Sequence, residues 1–211
     1  MKNIKQRYRQ FLQDNFSGLQ LKAPLFYSWD YGLRFDLQGE YEAFVDERYF
    51  EGVIKRAMAI FETAIAPSDK LFFVLRGYRY RRVKIRPENY AFRQIDRLEK
   101  SEICYTIDKF GYDSDKECNV ALACLTADRI NYKNILSAIG NNDFPSRQPR
   151  LGSGRKEVYF LNIDKRLIFN MYDDRGLDII THGKETLRPI YEKHNDWILD
   201  YDREEMEKLF E

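Results

Sequence analysis

The 211-residue chain has few of the residues that announce a chemistry. Its three cysteines, Cys104, Cys118 and Cys124, are an odd number with no Cys-x-x-Cys pair. That excludes a disulfide framework and fits buried thiols in a reduced, cytoplasmic protein. Its two histidines, His182 and His194, stand twelve positions apart with no ligand spacing. A general base needs an oriented partner, and neither has one in the local sequence, so both read as structural. A cysteine–histidine nucleophile pair is arithmetically open, but nothing local favours any of the three thiols. There is no Walker loop, no Gly-x-Gly-x-x-Gly and no Gly-x-Ser-x-Gly elbow; Gly152-Ser153-Gly154 has the wrong spacing for the last. Asp113-Ser114-Asp115-Lys116-Glu117 begins like a calcium loop, then places Cys118 where the sharp turn needs Gly and Cys124 where a bidentate Glu belongs. No run approaches the roughly 18 apolar residues of a membrane span. The first residues are basic with no apolar stretch behind them, so no signal peptide is expected. Internal repeats and a domain linker are also missing. No cofactor is expected.

What is present is material for a core: 44% hydrophobic and 15% aromatic residues. The chain is organised around 157–181. Three β-rich runs there are joined by polar breaks at Asp164-Lys165-Arg166 and Asp173-Asp174-Arg175-Gly176, the pattern of an antiparallel meander at the centre of the main sheet. The first two runs are apolar at odd and even positions alike, so both faces are expected to be covered. Asp173 and Gly176 fit the first and fourth places of a type I turn, with the Gly left-handed to re-enter the next strand through a bulge. Arg175 and Asp178 are not explained by turn chemistry.

Elsewhere the spacing predicts amphipathic helices over 3–16, stopped by Gly18, and over 42–65, ended by Pro67. Two short strands are expected at 24–29 and 33–37, and buried strands at 71–75 and 118–126. Further helices are expected over 88–102, from Asn131 to a cap at Gly140, and from 184–186 onward, because Pro189 is tolerated only in a first turn. The stretch 140–156 reads as a long mobile loop. Asp202 and Glu205 read as a capping box for the last helix. Trp197 to Tyr201 reads as structural, packed on the meander. Runs of strands interrupted by helices, without βαβ alternation, give a single α+β domain over 1–211: a mostly antiparallel sheet covered by amphipathic helices.

The net charge of +1 is unevenly placed. Residues 1–86 hold 16 basic and 10 acidic side chains, a net +6; residues 157–211 hold 8 and 14, a net −6. Such asymmetry can steer a charged partner, unless the two ends fold together and cancel. Two surfaces are candidates for partner binding. One is the acidic turn, Asp173, Asp174, Arg175 and Asp178. The other is the basic run from Arg76 to Arg86, with Arg79, Arg81, Arg82 and Lys84. Asp173, Asp174 and Asp178 alternatively suit a metal-dependent hydrolase with Arg175 stabilising charge. The basic run, interleaved with Tyr78 and Tyr80, alternatively suits nucleic acid, although the chain is not basic overall.

Tyr172-Asp173-Asp174-Arg175-Gly176-Leu177-Asp178, Ile190-Tyr191-Glu192-Lys193 and Trp197 to Arg203 give a C-terminal match over 158–210. With Leu25 to Trp29 and Leu33-Arg34-Phe35, they resemble the bacterial domain of unknown function 3885. The resemblance implies a bacterial cytoplasmic protein and carries over no catalytic residue. Its loose association with Rhs-type toxin systems implies an immunity protein that binds a toxin. The expectation is therefore a non-catalytic protein-binding module.

Overall fold

The computed structural model describes residues 3–39, 46–78, 85–109, 117–152, 154 and 156–211. The three C-terminal runs form β5 (Lys156–Asn162), β6 (Leu167–Met171) and β7 (Gly176–Thr181), an antiparallel meander. Four more strands extend it: β1 (Gly32–Asp36), β2 (Lys70–Tyr78), β3 (Cys104–Lys109) and β4 (Glu117–Thr126). The order is β1-β7-β6-β5-β2-β4-β3, with every neighbouring pair antiparallel. β5 is the central strand, and β3 and β1 are the edges.

Both faces are covered, as the unbroken apolar runs require. In β2, Phe72 and Val74 join the cluster under α1 (Ile4–Phe16), while Leu71, Phe73 and Leu75 join the cluster on the other side. That alternation is the two-residue period of a strand. From α1, Tyr8, Phe11, Leu12 and Phe16 are buried. Each such side chain contributes roughly 1.5–3 kcal/mol by leaving water, enough to hold a helix of this length on the sheet. The opposite layer is α2 (Glu47–Ala64), α4 (Tyr132–Gly140), α5 (Lys184–His194) and α6 (Arg203–Glu207), with the short α3 (Tyr90–Arg93). This is the expected α+β fold. No helix among the described residues is long and apolar enough to cross a membrane. The two charged ends are folded against each other: β1 pairs with β7 and β2 with β5, and Arg34 meets Asp178 (3.6 Å) and Arg76 meets Glu157 (2.9 Å) across them.

Several local expectations are corrected. The apolar stretch at 24–29 is a 3-10 turn over Phe26–Ser28, not a strand. Its backbone N–H groups at Leu25 and Phe26 are taken by the Asp178 carboxylate, at 2.8 and 3.2 Å, so none is left for a ladder. Residues 88–102 are not one helix. Arg97 is left-handed (φ 49), and the chain beside it pairs with 129–131 through Asp96 N to Arg129 O (2.7 Å) and Asn131 N to Gln94 O (2.8 Å). Strand β3 has no counterpart in the sequence reading. α1 ends at a left-handed Ser17 rather than at Gly18 alone. The described part of α2 begins at Glu47 under an Asp46 cap; 40–45 lie outside the described residues. Gly140 is the last residue of α4 and no left-handed cap; a Cβ there would meet Ile54 and Met171 at an ordinary contact distance of 3.5 Å. Pro189 is the sixth residue of α5, beyond the first turn. The described part of 140–156 is tied down, by Arg147 on Glu47 (2.8 and 3.0 Å), Asn141 on Pro149 O (3.2 Å) and buried Leu151. Ser153 and Arg155 lie outside the described residues. Asp202 does not cap α6; its carboxylate accepts the Tyr27 hydroxyl instead (2.9 and 3.1 Å). Trp197 is half-buried and Tyr201 is exposed. The buried member of that segment is Ile198, which bridges Phe35 of edge strand β1 rather than the meander.

Candidate functional site

The 172–178 turn is built by its own side chains. Asp173 accepts the Arg175 backbone N–H (2.8 Å) and Nε (3.0 Å), closing the loop. Gly176 does not take the left-handed backbone expected of it. Its role is close approach: a Cβ there would lie 2.6 Å from the Phe35 carbonyl oxygen and would strike the Tyr172 hydroxyl. Asp174 accepts the Tyr49 hydroxyl from α2 and is buried, which pushes its carboxyl above the usual range. The turn's carboxylates therefore face inward; only the Arg175 side chain is well exposed.

Asp178 belongs to a different network. Strand register places it opposite Arg34, and its Oδ1 lies 3.6 Å from Arg34 Nε. Burial pushes its carboxyl up to about 6, against the opposing pull of Arg34 and the two backbone N–H groups. Arg34 is held between the rings of Tyr27 (4.9 Å) and Tyr172 (5.1 Å), with Asp202 4.0 Å from its Nε. The structure thus divides the expected acidic trio. Asp173 and Asp174 group with Asp143, their oxygens within 4.8 Å of one another. Asp178 groups with Arg34 and Asp202. Asp173 and Asp174 already have protein partners in Arg175 and Tyr49.

Over the turn opens a cavity of about 550 Å³ lined by Arg34, Asp143, Arg150, Lys156, Tyr172 and Arg175, among others. Burial lowers the Lys156 pKa and pushes the Tyr172 hydroxyl up to about 12. Of the lining residues, the sequence reading had singled out Asp173 and Arg175. Arg34, Asp143, Arg150 and Lys156 were missed, although Asp143, Arg150 and Lys156 fall in the polar stretch 140–156 that it marked as a loop.

The basic run is distributed differently. Arg76 is 1% exposed and pairs with Glu157 at 2.9 Å, so it is not displayed for a partner. Arg79, Arg81, Arg82 and Lys84 lie outside the described residues. Arg86 is exposed and lines a groove of about 1080 Å³ with Lys5, Arg9, Tyr105 and Ile107, beside edge strand β3. His194 Nε2 lies 2.9 Å from Thr63 Oγ1, and the ring stacks on Trp197. His182 meets the Asn15 carbonyl (3.1 Å). Neither contact involves a cysteine, and none of Cys104, Cys118 and Cys124 is in a disulfide. Cys118 is buried; Cys104 and Cys124 are only partly so.

Comparison with known proteins gives a family match. The family model described as a domain of unknown function (DUF3885) matches residues 8–202, far beyond the C-terminal stretch where the resemblance is densest. The chain is 26% identical over 207 residues to the "Uncharacterized protein YnaE" of Bacillus subtilis (strain 168), covering 90% of this chain and 96% of that one. No solved structure gives a significant match.

Proposed function

This chain belongs to the DUF3885 family, and we propose that it is a non-catalytic protein-binding module of the bacterial cytoplasm, an immunity protein that holds a toxin inactive. The observation that carries this reading is the edge strand β3. Tyr105 and Ile107, two residues apart and so on one side of the strand, are 46% and 41% exposed. Lys5, Arg9 and Arg86 surround them in the same groove. An aromatic and an aliphatic anchor supply affinity, and cations around them supply association rate and register toward an acidic partner. Among the described residues β3 pairs only with β4, so an extended acidic segment fits its outer edge by adding a strand. The inward-facing carboxylates of the 173–178 turn move the docking surface away from that turn and toward this groove.

The test is co-expression with the product of an adjacent toxin-like gene. Growth rescue is expected, and Tyr105→Asp with Ile107→Asp should abolish it while the unfolding midpoint stays in place. If no neighbour is toxic, or the protein rescues none, the immunity reading falls. Rescue that survives both substitutions removes β3 as the docking surface.

A further inference from the structure

We propose that the cavity over the 172–178 turn binds the phosphate group of a small, hydroxyl-rich phosphate monoester. The argument starts from polar atoms without partners. Arg34 Nη1, Arg150 Nε and Asn142 Oδ1 are all buried with no hydrogen-bond partner among the described residues, while Arg34 Nε faces Asp178 Oδ1 at 3.6 Å. Buried polar groups are nearly always satisfied, so atoms of this kind point to something that completes them. All three residues line the same cavity.

The donors are also held in place. Arg34 is clamped between two tyrosine rings, which fixes the plane of its guanidinium. Arg150 is pinned through Nη2 to the Asn142 carbonyl (2.6 Å), leaving Nε inward. Two pre-set guanidinium forks suit an oxyanion, because their N–H geometry matches phosphate oxygens and little side-chain freedom is lost on binding. Lys156 and Arg175 add positive charge to the wall. Burial disfavours the charged form of Lys156, and a bound dianion would reverse that.

The carboxylates decide the rest of the ligand. Asp143, Glu157 and Asp173 line the same cavity, and with Asn142 Oδ1 they are acceptors. They suit hydroxyl groups and would repel a polyphosphate or a nucleic-acid backbone. A volume of about 550 Å³ is in the range of small-molecule sites.

The experiment is calorimetry on the full chain in low-salt, phosphate-free buffer, with ribose 5-phosphate, inorganic phosphate and ribose as probes. One-to-one binding of ribose 5-phosphate is expected, with inorganic phosphate weaker and ribose silent. Arg150→Gln should weaken ribose 5-phosphate about tenfold or more, the loss of a charge-assisted contact, with the melting temperature unchanged. Arg9→Gln, an exposed cation in the other groove, should leave the binding of ribose 5-phosphate unchanged. No heat with either phosphate overturns the proposal. So does equal weakening by Arg9→Gln, which would mean diffuse charge, or ribose binding as well as its phosphate.

Discussion

Replacing Asp178 separates shape from charge in the buried network that joins β7 to the N-terminal segment. The side chain is fully buried, and one oxygen accepts two backbone N–H groups, from Leu25 and Phe26. In Asp178→Ala both donors lose their acceptor in a dry site. Each orphaned donor costs about 1–3 kcal/mol, so a total near 3 kcal/mol or more is expected. Asp178→Asn keeps an oxygen of the same shape. Burial already pushes the Asp178 carboxyl up to about 6, so desolvation outweighs what Arg34 gives back. Removing the charge should then cost no more than about 1 kcal/mol at pH 7, because the lost pairing and the relieved desolvation offset each other. The pH dependence follows in sign. Between about pH 4 and 6 the unfolded chain releases the Asp178 proton while the folded chain keeps it. Stability therefore falls as pH rises through that window, by about 3 kcal/mol for a shift of two units, and is level above it. The Asn variant lacks this fall. Urea unfolding of the three proteins from pH 4 to 8 measures all of it. If Asn is as damaging as Ala at pH 7, the ion pair with Arg34 dominates and the reasoning is refuted.

Three further outcomes can be checked. Trp197→Ala should cost only about 1–2 kcal/mol, since the ring is half-buried between His194 and Arg56, whereas Ile198→Ala should cost about 2–4; urea midpoints that reverse this order would contradict the placement of the segment. Gly176→Ala should cost about 1–3 kcal/mol or more by driving a Cβ into the Phe35 carbonyl, and a thermal melt indistinguishable from the parent would refute the close approach. Calorimetry with magnesium, manganese and zinc should give no heat, because Asp173 and Asp174 are already engaged by Arg175 and Tyr49; a micromolar site lost in Asp174→Ala would put the hydrolase reading ahead.

Much of the fold was legible because it depends on local periodicity. The meander, α1, α2, β4 and α5 announce themselves by apolar spacing, whereas the caps at Asn3 and Asp46 emerge only in the structure. The failures share one cause: a distant partner outweighed local pattern. Residues 24–29 look like a strand until a carboxylate some 150 positions away takes their N–H groups. Residues 88–102 look helical until 129–131 offer their backbone. Asp202 looks like a cap until Tyr27 and Arg34 claim it. The candidate site was half legible for the same reason. Asp173 and Arg175 sit in one turn and stood out together. Arg34 meets Asp178 only through strand register, and Arg150 reaches the cavity only through the path of 140–156, neither of which spacing encodes.

Two of the stretches that carry the family resemblance, 25–35 and 172–178, lie far apart in sequence and meet in space. Asp178 holds Leu25, Phe26 and Arg34; Gly176 admits the Phe35 carbonyl; Leu37 N–H binds the Arg175 carbonyl at 2.9 Å. These residues of the resemblance are therefore accounted for by docking β1 and the segment before it onto β7. That explains a family signature without any activity. What the docking does not account for is narrower. It needs neither Arg34 Nη1, which makes no hydrogen bond among the described residues, nor Arg150, nor a cation at Lys156. Arg34 has a structural task of its own, because an apolar side chain there would leave the buried carboxylates of Asp178 and Asp202 without their cation. The ion pair engages Nε, and the buried Nη1 makes no hydrogen bond within the described fold. The residue that links the structural unit to the cavity is thus the one whose chemistry exceeds its structural task, and that excess marks where function attaches to this fold.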